Sequence, residues 1–134
     1  MPLLTWNDAL ALSVEVIDEQ HKQMVDLLNQ AYGAITTGSS PETVGVILAG
    51  LIDHTISHFA TEEQVMEGAA YPGLAIHKGE HELLTSRVLG LERAFLAGQV
   101  QPTIDTLLFL KGWLLDHIEG HDMLLGAYLH GRPS

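Results

Sequence analysis

From about Ile17 onward, apolar residues return every three or four positions, the spacing of one face of an α-helix. His21, Met24, Val25, Leu28, Ala31, Tyr32 and Ile35 share that face over residues 17–37. Gly38-Ser39-Ser40-Pro41 closes this segment and opens the next. Glycine suits the C-terminal cap, Ser40 the N-cap and Pro41 the first helical position. A second stripe, from Val44, Ile47, Leu48 and Leu51 through Thr55, His58, Phe59 and Glu62 to Val65 and Met66, predicts a helix over 41–68. Tyr71-Pro72-Gly73 breaks the chain. His77, His81, Leu84, Val88, Leu91 and Phe95 mark a third helix over 74–97, and Gly98 to Pro102 is the next break. Leu107, Leu110, Trp113, Leu114, His117, Ile118, His121 and Leu125 mark a fourth, over 103–128. Residues 1–16 lack a period and read as an N-terminal arm, docked through Trp6, Val14, Val16 and Ile17. There is no β-type alternation and no repeat. The expectation is an all-α fold: one domain over 1–134, an antiparallel up-down-up-down four-helix bundle with an N-terminal arm.

The inward stripes are not purely apolar. His58 and Glu62 are four residues apart, as are His77 and His81, so each pair shares one helix face. In an up-down bundle the starts of the first and third helices and the ends of the second and fourth lie at one end. At ~1.5 Å per residue, His21, His58, Glu62, His77, His81, His117 and Asp122 all fall roughly 5–16 Å from that end. His54, at about 21 Å, falls outside the slab and reads as a residue of the core or beside the ligands. Seven ionisable groups buried together without a cation would cost far too much. The slab therefore reads as a metal site built from facing helices.

Composition narrows the metal. The chain has no Cys, so thiolate sites and disulfides are excluded, and eight His supply nitrogen donors. Seventeen acidic residues against six basic ones give a formal net charge of −11, which disfavours a nucleic-acid surface. The N-terminus has no signal-peptide pattern and no apolar run approaches the ~18–20 residues needed to span a bilayer, so a cytoplasmic protein without membrane contact is expected.

The chain resembles the hemerythrin-like proteins, in particular the single-domain bacterial hemerythrins. The resemblance rests on Val16-Ile17-Asp18-Glu19-Gln20-His21-Lys22, His58-Phe59 with Glu62-Glu63, His77-Lys78 with His81-Glu82, and Trp113-Leu114 with His117-Ile118 and Asp122. It implies a centre of two non-haem iron ions. His77, His81 and His117 would bind one iron, and His21 and His58 the other. Glu62 and Asp122 would bridge both, with an oxo or hydroxo bridge. One position on the His21/His58 iron would stay open for dioxygen, as in reactive rather than structural metal sites. Met24, Phe59, Trp113, Leu114 and Ile118 are the candidate oxygen pocket.

Two readings of helix face remain to be tested by structure. On a regular helix His121, four residues after His117, would face the site, whereas Asp122 lies about 140° away. The resemblance selects Asp122, which requires a local wide turn between His117 and Asp122, eased by Gly120. Glu63, five residues after His58, is expected to face solvent, and His130 to be solvated in the tail.

The function implied is reversible dioxygen binding rather than catalysis: a carrier, a store or a delivery protein for an oxygen-using enzyme or reductase partner. The alternatives are a diiron enzyme reducing peroxide or nitric oxide, and an oxygen or iron sensor. Enzyme sites of this architecture are rich in carboxylates with Glu-x-x-His pairs, which the ligand positions lack.

Overall fold

The computed structural model describes residues 2–98 and 103–131. Four long helical rods pack as a bundle, with no strand among the described residues. A 3₁₀ turn, Asp8–Leu10, precedes α1 (Glu15–Thr36), α2 (Pro41–Gly68) and α3 (Leu74–Leu96). The fourth rod is composite. It runs as α4 (Ile104–His117), a π turn (Ile118–Asp122) and α5 (Met123–Gly131), with helical backbone across both junctions.

Local chemistry sets the boundaries. Ser40 accepts a hydrogen bond from the Thr43 amide at 3.2 Å, with Pro41 in the first turn of α2. Gly38 takes φ +77° just beyond α1, a conformation open to glycine without penalty. Thr103 caps α4 through the Thr106 amide at 3.4 Å. Of the predicted break at Gly98 to Pro102, Gly98 has φ +71° and residues 99–102 lie outside the described residues.

The core is continuous from the arm to the fourth rod. Ile17, Leu28, Leu48, Met66, Leu107, Ile118 and Leu125 are fully buried in it, and Ile52, Phe59, Leu84 and Val88 form a smaller cluster between α2 and α3. The predicted stripes hold, with Ile52 added to that of α2 and His121 lost from that of the fourth rod.

The arm docks differently from the sequence expectation. Trp6 and Val14 are partly buried against the core and Ile17 is fully buried, but Val16 is 46% exposed because α1 begins at Glu15 and turns it outward. The anchors are Leu4, Leu10 and Leu12, which have no helical period to reveal them. Hydrogen bonds fix the arm. Asn29 bonds both the amide (3.0 Å) and the carbonyl (2.7 Å) of Leu4, and Asp18 accepts from the Leu12 amide at 2.8 Å. His130, although exposed, donates Nε2 to the Leu12 carbonyl at 2.8 Å, so it ties the chain end to the arm rather than standing free.

The apolar character of α2 was understated by its broken stripe. Contrary to the expectation that no run approaches membrane-spanning length, α2 is long and apolar enough, by length and composition alone, to cross a bilayer. Its inward face, however, carries His58 and Glu62 into the bundle.

Candidate metal centre

Each rod contributes to one buried cluster near one end of the bundle. α1 supplies His21, α2 His58 and Glu62, α3 His77 and His81, α4 His117, and the π turn Asp122. All seven are buried to 3% exposure or less. The structure thus brings together every residue that the sequence placed in the slab.

The two carboxylates divide the imidazoles into sets of three and two. Glu62 Oε1 lies 3.1 Å from His77 Nε2, 2.9 Å from His81 Nε2 and 3.6 Å from His117 Nε2. Its other oxygen, Oε2, lies 3.1 Å from His58 Nε2 and 3.6 Å from His21 Nε2. Asp122 repeats the division, with Oδ1 3.0 Å from His77 and 3.1 Å from His117, and Oδ2 2.9 Å from His21. Glu62, His77, His81 and His117 form one group whose ligand atoms all lie within 4.8 Å of one another, and His21, His58, Glu62 and Asp122 form a second.

Glu62 Oε1 is hydrogen-bonded to His77 and His81, but most polar atoms of this cluster are left unsatisfied. His21 Nε2, His58 Nε2, Glu62 Oε2 and both Asp122 oxygens make no hydrogen bond despite the short separations. His117 Nε2 sits 3.3 Å from His77 Nε2 and 3.2 Å from His81 Nε2, so three imidazole nitrogens converge on one point. Buried groups left this way carry a large desolvation cost. Lone pairs aimed at a common centre, from nitrogen and oxygen donors alone, suit iron, manganese or zinc. The cluster fits a metal site.

Protonation compensates in the metal-free chain. Burial lowers the affinity of His21 for a proton, but the close negative charges of Asp122 and Glu62 outweigh it and raise its pKa to about 9. The same balance raises His117 to about 10 and also lifts His77. In His58 burial wins and the pKa falls. Burial and the neighbouring Glu62 push Asp122 up, yet the close imidazoles of His117, His21 and His77 hold it at about 2. Glu62 is likewise held well below its ordinary value by the surrounding histidines, against the effect of burial.

Asp122 reaches the site because of the π turn. Five residues separate it from His117, and the wide turn at Ile118–Asp122 brings both onto one face. The sequence expectation of such a turn is met. The same turn carries His121 outward, where its Nε2 pairs with Glu80 at 2.9 Å on the half-exposed surface. His54 also stays out of the cluster, donating Nε2 to the Gln20 carbonyl at 3.2 Å.

Two neighbours of the ligands escaped the sequence reading. Gln20 Oε1 accepts from His58 Nδ1 at 2.7 Å. Glu63, expected in solvent, instead accepts from His81 Nδ1 at 2.9 Å and is only 22% exposed. Its i+5 position relative to His58 turns it toward α3, where His81 waits. In Gln20 the only signal was its place beside a ligand.

The five residues expected around an oxygen pocket take different places in the structure. A cavity of about 20 Å³ lies one turn deeper in the bundle than the ligands. Met24, Trp113 and Leu114 line it, together with Leu28, Leu51, Thr55 and others. Phe59 and Ile118 do not. Phe59 stacks on His81 (centroids 3.9 Å, planes 8° apart), and Ile118 is buried in the main core. Trp113 also stacks on His117, at 4.7 Å and 12°. Thr55 spends its hydroxyl on the Leu51 carbonyl at 2.7 Å.

The comparisons agree with this geometry. The profile described as "Hemerythrin HHE cation binding domain" matches residues 12–129. The chain belongs to the hemerythrin family. It is 39% identical to a bacteriohemerythrin of Stenotrophomonas maltophilia over 123 residues, covering 91% of this chain and 78% of that one. It is 36% identical to the bacteriohemerythrin of Methylococcus capsulatus over 130 residues, covering 96% and 98%. A crystal structure of wild-type hemerythrin superposes with a TM-score of 0.90 at 35% identity, covering 95% of this chain and 98% of that one. Members of the family bind non-haem iron, and the His and carboxylate cluster here fits such a metal.

Proposed function

We propose that this hemerythrin binds dioxygen reversibly at a centre of two non-haem iron ions. The observation that supports it most is the three-plus-two division of imidazoles by two carboxylates that each face both sets. His77, His81 and His117 hold one iron, His21 and His58 hold the other, and Glu62 and Asp122 span the pair. The His21/His58 side is one protein donor short, which leaves it the side open to a small ligand. When bound, the two ions supply the electrons that dioxygen accepts and take them back on its release.

The chain's own residues favour a carrier. Met24, Trp113 and Leu114 keep the space beside the centre apolar. Thr55 turns its hydroxyl away to Leu51, so its methyl group is left to that wall. Such a wall discourages water and ionic reductants while admitting a small apolar molecule. The ligand set is rich in histidine and lacks the Glu-x-x-His pairs of carboxylate-rich diiron enzymes. An oxygen-using enzyme or a reductase is the fitting partner.

The test is an oxygen cycle. The protein is loaded with iron(II) without air, exposed to oxygen, then purged with argon. A visible absorption band that appears with oxygen and vanishes on purging, over several cycles, is the expected result. Permanent oxidation within one cycle, or faster turnover of added peroxide or nitric oxide with a reductant, would instead favour an enzyme.

A further inference from the structure

Of the five clustered imidazoles, His21, His77 and His117 have buried Nδ1 atoms without a hydrogen-bond partner. The other two have one each, and they fall on opposite sides of the centre: His58 with Gln20, His81 with Glu63. One partner is a neutral amide and the other a carboxylate.

Both contacts are built. The hydroxyl of Thr61 donates to the Ser57 carbonyl at 3.2 Å, leaving its oxygen to accept from Gln20 Nε2 at 3.2 Å. Gln20 Oε1 is therefore the atom turned to His58, so His58 carries its proton on Nδ1 and frees Nε2 for a metal. His54 donates to the Gln20 carbonyl and pins the same residue from the other side. Glu63 shares its charge between His81 Nδ1 at 2.9 Å and the Lys78 ammonium at 3.9 Å. Phe59 lies flat against the His81 ring and fixes its plane.

We propose that Gln20 and Glu63 are positioning residues that make the two metal positions unequal, Glu63 strengthening the three-histidine side through His81 and Gln20 orienting the two-histidine side through His58 without adding charge. A carboxylate that accepts a ligand's far N–H raises the basicity of that ligand, and an amide does so less. The fully ligated side thereby receives the stronger donor, and the open side keeps the weaker one. This inference rests on the metal-centre reading given above.

Zinc(II), which exchanges no electrons, separates the two questions. Protein labelled with ¹⁵N-histidine is titrated with zinc(II) against a competing chelator, and each ring's Nε2 resonance reports which side fills. Glu63→Ala is expected to weaken zinc at His77, His81 and His117 by about 10–100-fold and to spare His21 and His58. Gln20→Ala is expected to do the reverse. The isosteric exchanges give opposite signs. Glu63→Gln weakens its side by less than Glu63→Ala and moves the His81 Nδ1 proton resonance upfield, whereas Gln20→Glu tightens zinc at His58. Equal weakening of both sides by either alanine variant, no weakening by either, or loss of affinity in Gln20→Glu overturns the inference. Failure of the oxygen cycle with this zinc pattern intact would remove only the oxygen-binding reading, and failure of the native protein to bind zinc at both sides would remove the metal centre itself.

Discussion

Glu62 and Asp122 divide their oxygens between the same two sets of imidazoles: Oε1 and Oδ1 face His77, while Oε2 and Oδ2 face the side of His58 and His21. A carboxylate has two acceptor oxygens on one carbon, so it can serve two neighbouring cations at once, as a neutral imidazole nitrogen cannot. Asp122→Asn preserves shape and removes the charge. Zinc(II) stoichiometry is expected to fall from about two per chain to about one or fewer, because each position loses an anionic ligand. In the metal-free protein the change strands charged His21 and His117, and urea unfolding should show a loss of about 3–5 kcal/mol. A variant that still takes up both ions with native affinity would remove Asp122 from the bridge.

The metal-free and metal-loaded proteins should respond to pH in opposite senses. His21 and His117 have folded pKa values of about 9 and 10, above the ordinary 6.5. Their contribution to stability is complete below pH 6.5 and disappears as pH rises through 9 to 10. Asp122, held at about 2 against an ordinary 3.8, contributes fully above 3.8 and loses that contribution as pH falls through 2. His58, lowered by burial, adds a loss on the acid side as the unfolded chain protonates below 6.5. Metal-free protein should thus melt highest near pH 6 and lower at pH 9. Ligands must shed protons to bind a cation, so zinc affinity should rise over the same interval. At pH 7, loading should release about two protons, chiefly from His21 and His117, measurable by calorimetry in buffers of different ionisation enthalpy.

The bundle and the five clustered histidines with Glu62 were legible because both depend on helical period, and these residues sit on the same stripes as the core; Asp122 lies off the regular stripe and was selected by the family resemblance. The wide turn was legible for a related reason. Asp122 could join His117 only if five residues closed one turn, and the structure has such a turn at Ile118–Asp122. What stayed hidden lies off the stripes. Leu4, Leu10 and Leu12 are buried by irregular chain, where no period exists to mark them. Gln20 and Glu63 adjoin ligands in sequence but act across helices, on His58 and His81. Their roles depend on interhelical geometry that helix-face arithmetic does not contain. The cavity is hidden too, since its lining residues have the same pattern as ordinary core.

Because the π turn directs His121 outward, His121 and Asp122 should differ sharply although they are adjacent. The His121–Glu80 pair is about a third exposed on both partners, so solvent screens most of its attraction. His121→Ala should therefore cost less than about 1 kcal/mol in urea unfolding and leave zinc binding at both positions unchanged. Loss of one zinc equivalent in His121→Ala would mean that the segment adopts regular helix in solution and presents His121 to the cluster.

Phe59 links packing to ligand placement. It is 3% exposed, lies parallel to His81 at 3.9 Å, and meets Trp113 and His117 edge-on at 5.5 and 5.8 Å. The ring therefore packs directly on two members of the three-histidine set, His81 and His117. Phe59→Ala should cost about 3–5 kcal/mol in the metal-free protein, from lost burial and the void left behind. Phe59→Leu retains most of the apolar volume and should cost less than about 1.5 kcal/mol, but it removes the flat surface against which His81 rests. If the stack fixes the plane of His81, Phe59→Leu should weaken zinc at the three-histidine side out of proportion to its small effect on stability. The two quantities are read separately, by urea unfolding without metal and by chelator competition with zinc. Proportional losses in both would mean that Phe59 acts on the site only through the core.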